Sequence, residues 1–174
     1  GEKAALRGYQ TRAALYDLIL SYLKRYASPL SDKRILEIGP GSGMFLLALQ
    51  ALGVATAEGL EPHSELVALS RGEGLQITEG DLRSPPTFMV EHPYDVTLSR
   101  NVFDVPLIEA GEDLTPEVHQ TGIQMLRQLA RLTKPGGVSV HQTERGWPFH
   151  NTDLAEAGFE LLEGGTSYGF IVLR

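Results

Sequence analysis

The chain has 174 residues, 42% hydrophobic and 21% charged, which suits one globular domain and excludes a disordered or fibrous protein. With 15 Lys and Arg against 22 Asp and Glu the net charge is −7, a poor match for nucleic acid or anionic lipid, both of which repel it. Cysteine is absent, which excludes disulfides, thiolate catalysis and Cys-ligated metal sites.

The spacing of Leu15, Leu18, Ile19, Tyr22, Leu23 and Tyr26 predicts a helix over Leu6–Tyr26, ended by Ser28-Pro29. Arg34–Ile38 reads as a short apolar strand running into a Gly-rich turn, and Met44–Leu52 as a buried helix closed by Gly53. Thr56–Glu61 reads as a strand, Ser64–Arg71 as a helix and Leu75–Thr78 as a third strand. A Pro-Pro loop leads to a fourth strand, Tyr94–Ser99, and then to an acidic and ambiguous stretch, Asp104–Leu114. Thr115-Pro116-Glu117 starts a helix that runs to about Leu132: Thr as N-cap, Pro in the first turn, an acid beside it. Val138–Gln142 is the fifth strand, Asp153–Ala157 a short helix, and Phe159–Glu163 and Tyr168–Leu173 are two closing strands.

Strands separated by helical segments imply right-handed crossovers and a mostly parallel sheet with helices on both faces, a three-layer α/β sandwich. The last two strands are too close in sequence for a parallel crossover, so the final strand is expected to run antiparallel. No apolar run approaches the ~20 residues of a membrane span. Nothing at the start reads as a signal peptide, so a cytoplasmic location is expected. The start at Gly1 reads as a trimmed end, which leaves room for an additional domain or subunit as partner.

The strongest chemical signal is Glu37-Ile38-Gly39-Pro40-Gly41-Ser42-Gly43, between the first strand and the helix that follows it. In such sheets ligands bind at the carboxyl ends of strands, and glycines allow close backbone approach. A Gly-rich turn alone is equally a plain strand–helix connection. The details narrow the ligand: the dinucleotide pattern fails at Met44 and Leu46, and no Gly-Lys-Ser/Thr follows for a phosphate loop. An acid ahead of the glycines suits a ligand with positive charge. Glu61, at the end of the second strand, has the chemistry to accept bonds from both hydroxyls of a ribose, or else is a solvated loop acid. Asp81, after the third strand, has the chemistry to accept a bond from an exocyclic amine, or else closes an Asx turn.

With these three signals in order, the chain resembles the class I S-adenosylmethionine-dependent methyltransferases. Glu37–Gly43 resembles their first motif, Glu61 their ribose-binding acid, and Asp81-Leu82 their adenine-contacting pair. Tyr94-Asp95-Val96 is similar to their fourth strand, and Ala157-Gly158-Phe159 to the entry of the sixth. Leu132-Thr133-Lys134-Pro135-Gly136-Gly137 is similar to the L-K-P-G-G turn, with Thr133 as an insertion-like departure. The match covers about residues 34–174.

The resemblance implies a seven-stranded sheet in the order 3-2-1-4-5-7-6 with strand 7 antiparallel, an N-terminal helix (1–30) capping the site and a core domain over 31–174. It implies S-adenosylmethionine as cofactor, S-adenosylhomocysteine as product, and cofactor contacts from Glu37, Gly39, Pro40, Gly41, Gly43, Glu61, Pro62, Asp81, Leu82 and Arg100. The acceptor is expected over the ends of strands 4 and 5, lined by Tyr9, Arg100, Asn101, Phe103, Glu144, Arg145, Trp147 and His150. Trp147 and Phe103 offer π faces to a sulfonium. Glu144 and His150 are the candidate proton acceptors, and no His–carboxylate pair stands out at a strand end.

Where relatives that methylate exocyclic or amide nitrogens carry N-P-P-Y, this chain reads Arg100-Asn101-Val102-Phe103. That points away from nucleic acid and toward a small molecule or a presented peptide. His63, His92, His119, His141 and His150 lack ligand-like spacing, read for the most part as solvated or capping residues, and predict no metal site. Two other readings stay open: a catalytically silent cofactor-binding or scaffolding subunit, and an aminopropyl transferase using a related nucleoside.

Overall fold

The computed structural model describes residues 2–111, 113–145, 149–164 and 169–174, with side chains from residue 13 onward. In chain order it runs α1 (Glu2–Tyr26), β1 (Arg34–Ile38), α2 (Met44–Ala51), β2 (Thr56–Glu61), α3 (Ser64–Gly72), β3 (Gln76–Glu79) and α4 (Thr87–Glu91). It continues with β4 (Tyr94–Arg100), α5 (Val105–Glu109), α6 (Pro116–Leu132), β5 (Thr133–Gln142), α7 (Asn151–Glu156), β6 (Leu161–Gly164) and β7 (Phe170–Leu173). The seven strands form one sheet in the order β3-β2-β1-β4-β5-β7-β6. β1 to β5 pair in parallel, and β7 runs antiparallel to both β5 and β6. The sandwich and its strand order are as expected. Among the described residues no helix is long and apolar enough to cross a membrane.

Side-chain alternation along the central strands divides the interior into two cores. Ile35, Val96, Leu98 and Val140 face α1, α2 and α3, where Ile19, Leu23, Phe45, Leu49 and Val67 meet them. Leu36, Ile38, Tyr94 and Ile171 face the opposite way, onto Met89, Leu126, Leu129 and Leu154 of α4, α6 and α7. Glu37 falls between Leu36 and Ile38 and so sits on the α1–α2–α3 side, wholly buried. Arg100, two residues beyond Leu98, is on that same side.

The structure departs from the sequence reading in three places and fills in the one stretch that it left ambiguous. α4 forms between Pro86 and Pro93, buried through Met89, where only a loop was expected. The acidic stretch contains a short helix, α5, with Pro106 in its first turn. β5 begins directly at Thr133, whose hydroxyl donates to the Leu129 carbonyl at 2.9 Å and whose backbone pairs with Tyr94. The four residues Lys134–Gly137 then loop out before pairing resumes at Val138 opposite Val96, so the departure at Thr133 is absorbed as a register irregularity. Last, β6 starts two residues late. Gly158 (φ +94°) and the bonds from the Gly158 N–H to Ala155 O and from the Phe159 N–H to Leu154 O close α7 and send Phe159 into the core.

Candidate active site

The turn after β1 is held by backbone conformation. Gly41 and Gly43 have φ of +58° and +74°, a region that costs other residues strain. A Cβ on Gly41 would meet nothing within 4 Å, so this glycine keeps a space open. A Cβ on Gly43 would stand 2.2 Å from Leu75 Cδ1, so that glycine answers to packing against the β3 entry. Gly39 donates its N–H to Leu60 O at 2.8 Å, tying the turn to the end of β2.

Glu61 completes the turn from the other side. It is 3% exposed, and its Oε2 accepts the Gly41 N–H at 3.0 Å. Its Oε1 accepts the His63 N–H at 3.1 Å and lies 2.7 Å from His63 Nδ1. This His–carboxylate pair at a strand end is one the sequence reading did not expect. A carboxylate offers about four acceptor sites. Receiving two ribose hydroxyls therefore requires the exposed His63 ring to swing away.

Glu37 and Arg100 form an ion pair at 3.3 Å between Glu37 Oε1 and Arg100 Nη2. Burial pushes the Glu37 carboxyl up to about 7, against the pull of Arg100. The pair is incomplete: Glu37 Oε2 and Arg100 Nε are both buried without a hydrogen-bond partner. The guanidinium lies 4.9 Å from the centroid of the Tyr16 ring on α1. Arg100 thus links the buried acid to the N-terminal helix.

Two cavities adjoin here, both lined by Gly39, Arg100 and Asn101. The first, about 380 Å³, includes Glu61, Pro62, Asp81 and Leu82. The second, about 630 Å³, includes Pro40, Gly41, Tyr16, Gln142 and Glu144. The sequence-derived cofactor residues are therefore brought together, with Gly43 packed just outside and Glu37 behind Arg100. Asp81 is engaged by Arg83 through Nε and Nη2, at 3.0 and 2.6 Å to its Oδ2, and Arg83 Nη1 reaches on to Glu109 on α5 at 3.2 Å. Burial alone would raise the Asp81 carboxyl, but the Arg83 hydrogen bonds outweigh it and hold it below the usual carboxylate range. Tyr16, His63, Arg83 and Glu109 were not read from sequence. Each belongs to the site through a partner distant in the chain or through side-chain placement, which spacing does not reveal.

The acceptor side is mixed. Asn101, a non-glycine at φ +58°, donates Nδ2 to Glu144 Oε1 at 3.0 Å. The Glu144 N–H donates to Asp104 Oδ2 at 2.8 Å. Glu144 is thereby held at both ends on the wall of the larger cavity. Phe103 does not line that wall. It is 2% exposed and packs edge-on to His141 and Phe149 at 5.3 and 5.7 Å, because α6 and α7 cover this loop. His150 is the N-cap of α7 and its N–H donates to Asp153 Oδ2 at 2.8 Å, away from both cavities. Arg145 is exposed beside Glu144. Trp147 and the Tyr9 side chain lie outside the described residues.

Of the histidines, His63, His92 and His150 are exposed at the ends of α3, α4 and α7, in line with the solvated or capping reading, and His141 departs from it. His141 is buried on β5, 2.7 Å from Ser99 Oγ, and burial pushes it down to about 3. His119 lies 3.3 Å from Asp153. Among the described residues no three His, Asp or Glu side chains converge as a metal site would need.

A family model described as a methyltransferase domain matches residues 8–168. Among curated proteins none matches the sequence. Several solved structures share the fold. The SAM-bound amino pentose methyltransferase of Micromonospora echinaspora, involved in calicheamicin biosynthesis, is 16% identical with a TM-score of 0.67, covering 99% of this chain and 95% of that one. The magnesium protoporphyrin IX methyltransferase of Synechocystis PCC 6803, with bound SAM, is 18% identical with a TM-score of 0.65, covering 92% and 76%. A 4+2 cyclase is 18% identical with a TM-score of 0.61, covering 86% and 58%.

Proposed function

The chain belongs to the methyltransferase domain family, whose cofactor is S-adenosylmethionine, and from that premise we propose that it methylates a small-molecule acceptor by in-line displacement. One observation carries the reading: Glu61 is bonded to the Gly41 N–H across the glycine turn, with the buried Glu37 behind it and a cavity in front. When bound, the cofactor supplies a methyl group on a sulfonium, an electrophile open to attack from the far side.

This chain's residues hold and orient. Glu61 suits the ribose, and Asp81 with the Leu82 backbone suits the adenine. Glu37 and Arg100 suit the amino-acid end, and the space beside Gly41 admits the ligand to the backbone. The N-terminal segment 1–30, which carries α1, caps the core formed by 31–174, with Tyr16 of that helix on the wall of the larger cavity. Of the two proton-acceptor candidates, Glu144 has a place on a cavity wall and a fixed orientation. In this reading it orients the acceptor or takes its proton, while placement of the nucleophile supplies most of the rate. The neighbours that act on a porphyrin and an amino pentose support a small-molecule acceptor.

Calorimetry tests the proposal. S-adenosylhomocysteine is expected to bind at micromolar affinity and NAD not at all. Glu61→Ala should weaken S-adenosylhomocysteine by about 2–4 kcal/mol, or thirtyfold to a thousandfold. Glu65→Ala, on α3, should change little. Tighter binding of NAD would overturn the reading. A silent scaffolding subunit is the second reading. It is favoured by the single carboxylate, Glu144, among the described residues that line the larger cavity. Turnover with a labelled cofactor across a metabolite set separates the two.

A further inference from the structure

The larger cavity has an apolar side, with Leu15, Tyr16 and Met44, and a polar side, with Asn101 and Glu144 just past the ends of β4 and β5. The polar side presents hydrogen-bond acceptors and negative charge. Asn101 gives its Nδ2 to Glu144 Oε1 and its backbone N–H to Gln142 O, while its own Oδ1 is buried without a partner. Behind Glu144 stands Asp104, 2% exposed. Its Oδ2 receives the Glu144 N–H, and its Oδ1 is also buried without a partner. Among the described residues no Lys, Arg or His makes an ion pair with Glu144 or Asp104. Arg100, the one cation among the described lining residues, is bonded to Glu37 and lies over the Tyr16 ring. Open acceptors beside an uncompensated carboxylate suit a ligand that brings N–H donors and positive charge.

We propose that the acceptor is a small amine, held at Glu144 as its ammonium and methylated on that nitrogen. The inference rests on the methyltransferase reading and names its substrate class. The movement of charge favours nitrogen. The ammonium first gives one proton to solvent through the open cavity. The freed nitrogen lone pair then forms the bond to the methyl carbon, the carbon–sulfur electron pair leaves with sulfur, and the positive charge passes from sulfur to nitrogen. A carboxylate fixed beside that nitrogen attracts the charge as it arrives. A carboxylate or phenolate acceptor would instead bring a further negative charge to Glu144 and Asp104. A neutral hydroxyl would have to lose its proton during attack to a carboxylate, a weak base for that task.

Two measurements test the proposal. The first is calorimetry on the S-adenosylhomocysteine complex of the whole chain with benzylamine, benzyl alcohol and benzoate, which share one ring and differ in charge. The parent should bind benzylamine about five- to fiftyfold more tightly than either of the others, less than the full value of a charge-assisted contact because Glu144 is exposed. Glu144→Gln keeps the oxygen that Asn101 bonds to and loses the charge. It should shrink that preference to below about threefold, with S-adenosylhomocysteine affinity unchanged. Glu144→Lys should reverse the order in favour of benzoate. No preference of the parent for benzylamine, or an undiminished preference in Glu144→Gln, would overturn the proposal while leaving the family reading intact. The second measurement is the charge of the labelled product formed from a metabolite extract and methyl-labelled cofactor. A product retained by a cation exchanger at neutral pH supports an amine acceptor, and a neutral or anionic product overturns it. If S-adenosylhomocysteine does not bind the parent, the cofactor reading fails and the proposal falls with it.

Discussion

The central strands β1, β4 and β5 carry buried polar groups on both faces of the sheet, and the two faces treat them differently. Toward α6 and α7 they are neutral and bonded largely to one another. Thr97 bonds to Thr133 at 2.9 Å and to Ser139, Thr133 bonds to the Leu129 carbonyl, and Ser99 meets His141 at 2.7 Å. Toward α1 and α2 they are the charged Glu37 and Arg100, with an acceptor and a donor left over. A neutral network whose members bond to one another joins strands. A charged pair with open valences is a poor strut and a good receptor. Burial moves both titratable groups toward neutrality, His141 down to about 3 and Glu37 up to about 7.

The largest expected effect breaks that symmetry with acid. A buried neutral histidine means that the unfolded chain binds the extra proton below about pH 6.5, so stability falls as pH drops. At ~1.4 kcal/mol per pH unit, His141 costs about 3 kcal/mol between pH 6.5 and 4.5, and more below. Glu37 works in the opposite sense. Its folded carboxyl holds a proton up to about pH 7, so its contribution is fully present below pH 4.5 and is lost as pH rises through 7, again about 3 kcal/mol. The cofactor-free parent should therefore show a nearly flat unfolding free energy from pH 4.5 to 6.5. In urea titrations at half-unit pH steps, His141→Gln should grow more stable as pH falls over that window, and Glu37→Gln less stable. Parallel curves for the two variants would show that the two faces do not differ in this way.

Smaller effects sharpen the contrast. Thr97→Val strips a partner from both Thr133 and Ser139 and should cost about 1–3 kcal/mol of stability, read as a lower Tm, with S-adenosylhomocysteine affinity unchanged. Tyr16→Leu should do the reverse. It keeps an apolar contact with Phe45 but removes the ring under Arg100, lowering cofactor affinity about two- to fivefold with little change in Tm.

What the sequence made legible was local. The glycine turn, the strand-end acids Glu61 and Asp81 and the antiparallel last strand follow from spacing and connection length. α4 was not legible, because five residues between prolines show no helical period. Phe103 was misplaced, because a loop residue after a strand turns inward only when helices distant in sequence cover it. The open valences of Glu37 and Arg100 follow from the packing of three segments, residues 16, 37 and 100, and no pattern along the chain encodes them.

β7 follows every other strand along the chain, yet it lies between β5 and β6. In this sheet β6 pairs with β7 alone. As the polypeptide emerges during synthesis, β6 is made before the only strand it can bond to, and β5 presents an open edge in the meantime. Two strands therefore wait on Phe170–Leu173, a segment of four residues, and the sheet closes by insertion rather than by growth at its rim. The nascent chain is most exposed to edge-to-edge association with other chains in the interval between β6 and β7, when the ligand-binding half of the sheet is already built.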